Sequence, residues 1–274
     1  MLKLVLYMLL SNFYMRENWQ VITRGTKIIF QRFPWEQVVL HTLFIILICV
    51  IFSNSLLLIP KSLTVLILIQ KYMLTFSTLI ASNVALVIKK RFQLLTTEVQ
   101  SISLTRTYNH NVTKHIGNIT KSYKTLYEEV QAYNKLFGYH FLLHHLYLLL
   151  QIVSNLHMIL QFRKVATLHI ILNYSWLGIL TMGAAIFAIM CCDLAAREAK
   201  NLTTVCYTLL NESVTNQKNA ECTQMLLQLI DYTKSVPAKF TAADFYEIKR
   251  TTILQILGIA MTYFVVVVQF DGLS

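Results

Sequence analysis

Charge is scarce in this chain, and acid scarcer still. Asp, Glu, Lys and Arg make up 14% of the 274 residues, with 13 acids against 24 Lys and Arg, while hydrophobic residues reach 55%. Soluble domains carry about 25% charged residues, so the balance excludes an ordinary soluble fold and points to a polytopic membrane protein. There are five cysteines (Cys49, Cys191, Cys192, Cys206, Cys222), with no CxxC and no paired spacing, so neither a zinc site nor a disulfide frame is expected and the thiols should be reduced. Cys191-Cys192 at a membrane border admits palmitoylation or simple burial. GxSxG, P-loop and GxGxxG motifs are missing, as are paired carboxylates within a span; no enzyme and no cofactor are expected. A formal charge of +11 raises nucleic acid as a partner, but no basic helix, finger or aromatic-basic RNA motif carries it, and the basic residues sort by loop instead. No repeat or low-complexity tract is evident.

What is present is a series of long apolar runs. Glu36 to Ile59 follows Phe33-Pro34-Trp35, where proline suits a first helical turn and tryptophan an interface, and Pro60 stops it. Leu63 to Ile88, Tyr139 to Phe162, Val165 to Met190 and Thr251 to Phe270 are each long enough to cross a hydrocarbon core of about 30 Å at 1.5 Å per residue. Met1 to Tyr14 is apolar but too short for a full crossing, and no small-residue cleavage site follows it. The expected organisation is a partial apolar helix over 1–14, a loop over 15–35, a transmembrane bundle over 36–193 with a polar extension at 89–138, anchor helices over 194–250 and a last helix over 251–270. The fold class is an all-α polytopic transmembrane bundle with helices prolonged into cytosol. Leu126, Val130, Tyr133 and Phe137, then Leu202, Val205 and Leu209, give the extensions apolar edges at helical spacing. Asp193 and Arg197 are placed to pair. Asn109 to Gly117 and Asn211 to Ala220 are expected loops, with a short amphipathic helix from Cys222 to Thr233 ahead of Pro237.

Orientation follows from the cations. The loops after Tyr14, Ile88 and Met190 hold four, eight and seven Lys/Arg, against three in the turns at Lys61 and Arg163-Lys164. By the positive-inside rule the three basic loops are cytosolic, so the last helix exits with Asp271 and the C-terminus outside. That is opposite to a rhodopsin-type receptor, and neither DRY nor NPxxY occurs. The sequons at Asn111, Asn118, Asn173, Asn201 and Asn211 then fall in cytosol or within a span and should stay unglycosylated.

Within the spans a few polar groups invite a role. His140, His144 and His145 are the densest metal-capable cluster, but a zinc site needs a further ligand that no HExxH or cysteine pair supplies, so headgroup anchoring or pairing between helices is the expectation and no metal is assigned. Lys71 either snorkels to the outer surface or forms a pocket with Tyr72, Thr75 and Ser77. His157, His169, Asn173, Tyr174 and Trp176 flank the outer turn, suiting either interfacial anchoring or a small ligand. In the last helix Gln255, Thr262 and Gln269 recur every seven residues and return to one face, with Gly258, Val265 and Val266 beside them. Such a stripe avoids lipid tails, either as packing glue between helices or as the lining of a conduction path.

The wording of that helix adds to its pattern. Thr262-Tyr263, five apolar residues, then Gln269-Phe270 resembles the TYhhhhhQF signature that closes insect gustatory receptors. Phe240-Thr241-Ala242-Ala243, Ile253 to Gly258 and Met190 to Lys200 (MCCDLAAREAK) are similar to the same family, while Asp244 and Lys249 depart from its Gly and Asp or Asn. The resemblance is strongest over the last ninety or so residues. It implies a seven-helix chemosensory channel in the plasma membrane, here with about five helices and an N-terminal truncation. It also implies a homo- or hetero-tetramer with other gustatory receptors, gated by a small-molecule tastant, permeable to cations and surrounded by membrane lipids. Carried over position by position, Thr262, Tyr263, Gln269 and Phe270 are pore residues, joined by Gln255 and Val266 from the stripe. A family-type outer pocket would draw on Lys71, Tyr72, Thr75, His169, Tyr174 and Trp176. Two alternatives remain: a truncated, non-conducting protein or auxiliary subunit, and a transporter, for which neither broken helices nor repeats are seen.

Overall fold

The computed structural model describes residues 61–104, 110–161, 168–215 and 220–271, with side chains over 69–102, 112–157, 178–213 and 220–269. The expectations for 1–60, including the first full span, Cys49 and the short turn at Lys61, start outside or at the edge of these residues. The turn at Arg163-Lys164 also lies outside them.

Helix α1 runs Lys61–Leu104, α2 His110–Gln161, α3 Leu168–Thr215, α4 Ala220–Ser235 and α5 Arg250–Asp271, with a two-stranded hairpin, β1 Thr241–Ala242 and β2 Tyr246–Glu247, between the last two helices. At 44, 52 and 48 residues, α1 to α3 reach about 66, 78 and 72 Å at 1.5 Å per residue. Each is more than twice the length that a bilayer requires, as an all-α bundle with prolonged helices demands. The helices are longer than their polar signals suggest. Gly117 is inside α2 rather than in a break, and α3 continues through Asn211 to Thr215, because neighbouring buried residues hold both stretches in register.

The chain forms two compact units. The first takes 83–139 and 191–248 among the described residues. Its interior is written in heptads: Ile88, Phe92, Leu95, Val99 and Ile102 of α1; Ile116, Ile119, Tyr123, Leu126, Val130, Tyr133 and Phe137 of α2; Cys192, Ala195, Ala199, Leu202, Cys206 and Leu209 of α3. Alternating steps of three and four keep one seam inward, which is the geometry of coiled-coil packing. The α3 edge turns on Cys206, wholly buried, where the sequence reading placed the half-exposed Val205. A cysteine looks polar in a pattern yet packs as a small hydrophobe. Cys191, Cys192, Cys206 and Cys222 are all buried, so burial rather than a lipid-accessible thiol describes them.

Contacts tie these segments together. Phe92 meets Tyr123 edge-on at 6.0 Å and Tyr123 meets Tyr232 of α4 at 5.9 Å. The Tyr133 hydroxyl lies 3.3 Å from Cys192 Sγ, Arg91 pairs with the buried carboxylate of Glu129, and Asp193 pairs with Arg197 at 2.9 Å as the spacing foretold. In the hairpin, Thr241 opposes Glu247 and Ala242 opposes Tyr246. Its turn places Ala243 and Asp244 at φ of 50° and 60°, left-handed positions that Gly or Asn occupies more easily than Ala. Burial pushes the Tyr246 phenol up to about 12, so this ring stays neutral at physiological pH.

The second unit takes 61–82, 140–161, 168–190 and 249–271 among the described residues. Its interior mixes small and polar residues, Thr75, Thr78, Ala81 and Ser82 of α1, His144 and His145 of α2, Thr181, Ala185 and Ala188 of α3, with the larger apolar Phe141, Leu148 and Ile189. Its outside is apolar, with Ile69, Met73, Leu146, Leu150, Ile179 and Phe187 exposed. In lipid the hydrophobic effect does not drive helices together, and small residues and hydrogen bonds do so instead. Greasy outside and hydrogen-bonded inside, this unit suits a hydrocarbon solvent.

Candidate functional site

The first turn of α5 holds Thr252, whose Oγ1 accepts the Lys249 N–H at 3.2 Å, a side chain that caps a backbone donor at the start of the helix. Beyond it, Thr252 and Ala260 are buried and Ile253, Ile256, Phe264 and Val267 are half-buried. These residues share one face, at steps of three and four. The opposite face is open. Gln255, Gly258, Thr262 and Gln269 are all exposed, as are Leu257, Met261, Tyr263, Val265 and Val266. Thr262 donates its hydroxyl proton to the Gly258 carbonyl at 2.9 Å, leaving only lone pairs to face outward. Just 11% of the most apolar stretch of α5 is buried, against 39%, 39% and 44% for those of α1, α2 and α3. Among the described residues, the polar stripe therefore turns away from the helices that α5 packs on. Phe270 belongs to α5, but its side chain is not among those described.

The six residues expected to take a ligand divide between two helices. Lys71, Tyr72 and Thr75 lie on α1 within about one turn, with Lys71 and Tyr72 half-buried and Thr75 buried. Tyr72 stacks on Phe76, ring centroids 6.0 Å apart, and Thr75 donates its hydroxyl to the Lys71 carbonyl at 2.9 Å, so its one proton is already engaged. His169, Tyr174 and Trp176 belong to α3, with side chains outside the described residues.

A second polar group emerges that sequence reading named only in part. Thr78 Oγ1 lies 3.0 Å from His140 Nε2, 2.9 Å from His144 Nδ1 and 2.8 Å from the Leu74 carbonyl. One hydroxyl proton cannot serve three neighbours, so at least one imidazole donates to the oxygen. Ser77 Oγ approaches His140 at 3.3 Å. His140 and His144 thus pair with a neighbouring helix, one of the two expectations, and the signal that was missed is Ser77-Thr78 on the facing span. Gln151 accepts from Thr181 at 3.2 Å, and a side chain added at Gly178 would come within 2.8 Å of the Asn155 amide. No group of three metal-capable side chains gathers among the described residues.

Replacing Thr78 by Val conserves shape and removes that oxygen. It should destabilise the protein by about 1–3 kcal/mol, the cost of leaving buried imidazole nitrogens without a partner. Ser82→Ala, which deletes only a bond back to the Thr78 carbonyl, should cost less. Thermal unfolding in detergent compares the two; equal effects would show that the bridge carries no weight.

Long apolar helices, with buried hydrogen-bonding groups inside the second unit and large hydrophobics on its exterior, define a multi-pass helical membrane protein. Four of its described helices are long and apolar enough to cross a bilayer. The model of the 7tm chemosensory receptor family matches residues 4–273, nearly the whole chain, and the chain belongs to that family. This agrees with the resemblance to gustatory receptors carried by Thr262-Tyr263 and Gln269-Phe270, and it makes the protein a chemoreceptor of a non-enzyme family. A search of curated proteins gives no significant match.

Proposed function

We propose that this receptor is one subunit of a ligand-gated cation channel that detects a small-molecule tastant, with α5 from several copies around a shared aqueous path. The observation that carries the reading is the outward stripe of Gln255, Thr262 and Gln269 on the least buried of the long helices. Amides and a hydroxyl facing lipid are unfavourable, so another subunit or water must cover them. Copies arranged about an axis, four by family resemblance, supply both. Gln269 amides would replace part of an ion's hydration, Val266 or Phe270 would supply the apolar narrowing that closes by dewetting, and Tyr263 is a pore residue by family resemblance. Lys71, Tyr72, Thr75, His169, Tyr174 and Trp176 would line the tastant cavity, which opens the channel only by binding the open state more tightly than the closed one. The charge distribution favours a C-terminus outside, and the family resemblance favours a place in the plasma membrane.

The test is to place single cysteines at Gln255, Thr262 and Gln269 and expose cells to a water-soluble thiol reagent during stimulation with sugars, bitter alkaloids or carbon dioxide. All three should react and block current. Inertness to the aqueous reagent together with labelling by a lipid-soluble one would remove α5 from the path, and surface expression without current would favour a non-conducting or auxiliary subunit. Gln269→Ala should alter cation permeation; unchanged permeation counts against its role.

A further inference from the structure

Where α2 enters its apolar run at Tyr139, two neighbouring rows of the helix meet different surroundings, all within the first unit. Asn134 and Gly138, one turn apart, take the hairpin. The Lys239 carbonyl accepts Asn134 Nδ2–H at 2.7 Å, the Thr241 N–H donates to Asn134 Oδ1 at 3.0 Å, and a Cβ on Gly138 would lie 2.7 Å from the Ala243 nitrogen. Lys135 and Tyr139 form the next row round, also one turn apart, and both are exposed. The hairpin lies beside that row and adds two exposed side chains of the same kinds, Lys239 ahead of β1 and Phe245 in the turn. Asn134 fixes the level of Lys239, and Gly138 that of the turn. The two cations therefore share one level and the two rings another, about 5 Å closer to the span.

Neither lysine is matched to an acid. Glu129 is taken by Arg91 and Asp193 by Arg197, while Lys135 and Lys239 have no ion pair among the described residues. Asp244 is the exposed acid of the hairpin and accepts the Thr241 hydroxyl at 2.9 Å; Glu247 is half-buried opposite Thr241. Aromatic rings at the edge of an apolar run suit the membrane interface, one side toward acyl chains and the other toward headgroups. Ammonium groups one turn further into water stand beyond the diester phosphate of an ordinary lipid. They match phosphate carried further out on a larger headgroup, for which the compact charge and mobile stem of lysine are suited.

We propose that Lys135, Lys239, Tyr139 and Phe245 form a docking patch for a phosphoinositide, an inositol lipid bearing phosphomonoesters, with the lysines on its headgroup and the rings at its acyl end. The patch depends on neither conduction nor a tastant. Its cytosolic leaflet is the side to which the cation count assigns this region.

The test uses the purified full chain in detergent, where leaflet orientation does not enter, with a fluorescent short-chain phosphatidylinositol bisphosphate read by anisotropy. Binding should be at least tenfold tighter than that of short-chain phosphatidylserine. Lys135→Gln and Lys239→Gln should each weaken it about fivefold, the scale for one lysine beside a charged membrane surface, and together at least tenfold. Asp244→Asn keeps an acceptor for Thr241 and should tighten binding at least twofold. Lys121→Gln, exposed on the same helix and about 21 Å away at 1.5 Å per residue, should change it less than twofold. Tyr139→Ala with Phe245→Ala should weaken the lipid at least threefold and leave free inositol trisphosphate unchanged. A double lysine variant that binds within twofold of the parent overturns the proposal, and if that variant fails to fold the single variants decide. Equal binding of phosphatidylserine overturns the assignment to a phosphoinositide. Free inositol trisphosphate that displaces the probe as well as the lipid does, with the ring variants silent, overturns the lipid as occupant.

Discussion

Glu129→Leu should cost about 3 kcal/mol of stability, the scale for breaking one side of a buried ion pair, and lower the unfolding midpoint by roughly 5–10 °C for a chain of this size. The carboxylate of Glu129 is 2% exposed and Arg91 is 23% exposed, so the loss strands a guanidinium that reaches water only in part. That partial access keeps the expected value at the lower end of the range. The pair is not itself a large net source of stability, since both ions gave up hydration to form it. Arg91→Leu combined with Glu129→Leu should therefore recover most of the loss. Monodispersity after a heat step, in detergent or nanodiscs, reads the three variants. A double variant no better than the single one would show that the pair is not coupled as its geometry indicates.

Phe240→Ala should be comparably severe, about 3–5 kcal/mol, because it empties a fully buried ring site packed against Tyr133 and the surroundings cannot collapse into it completely. Phe245 lies in the same hairpin and is 75% exposed, so Phe245→Ala should change stability by no more than about 0.5 kcal/mol. Two phenylalanines five residues apart thus give opposite expectations from burial alone. Hydrogen exchange over 239–248 should rise sharply for the first and hardly at all for the second. Equal responses would mean that the hairpin is not anchored through Phe240.

The sequence disclosed the helices better than their joints. Long apolar runs, the cation count by loop and the spacing of Leu126, Val130, Tyr133 and Phe137 are periodic signals, and periodicity survives without knowledge of neighbours. The stripe on α5 was legible for the same reason, although only the structure shows that it is exposed among the described residues. The hairpin was not legible. Ala243 and Asp244 are poor advertisements for a left-handed turn, and two-residue strands are too short to alternate. Asn134 and Thr78 were silent because each is a single polar residue whose partners are distant in sequence, Lys239 and Thr241 in one case and His140 and His144 in the other. The heptads of the first unit were half legible, blurred where cysteine stood in for a hydrophobe.

Helices more than twice as long as a bilayer is thick have a consequence for how this protein comes apart. One stretch of each helix is assembled under water's rules, where expelling solvent from Phe92, Tyr123 and Leu202 is the driving force. Another is assembled in oil, where that force is missing. Urea weakens only the former kind of association. Chaotrope should thus melt the heptad-built region while the hydrocarbon-embedded stretches of the same continuous helices keep their backbone bonds, so that denaturation proceeds in two stages along single unbroken helices.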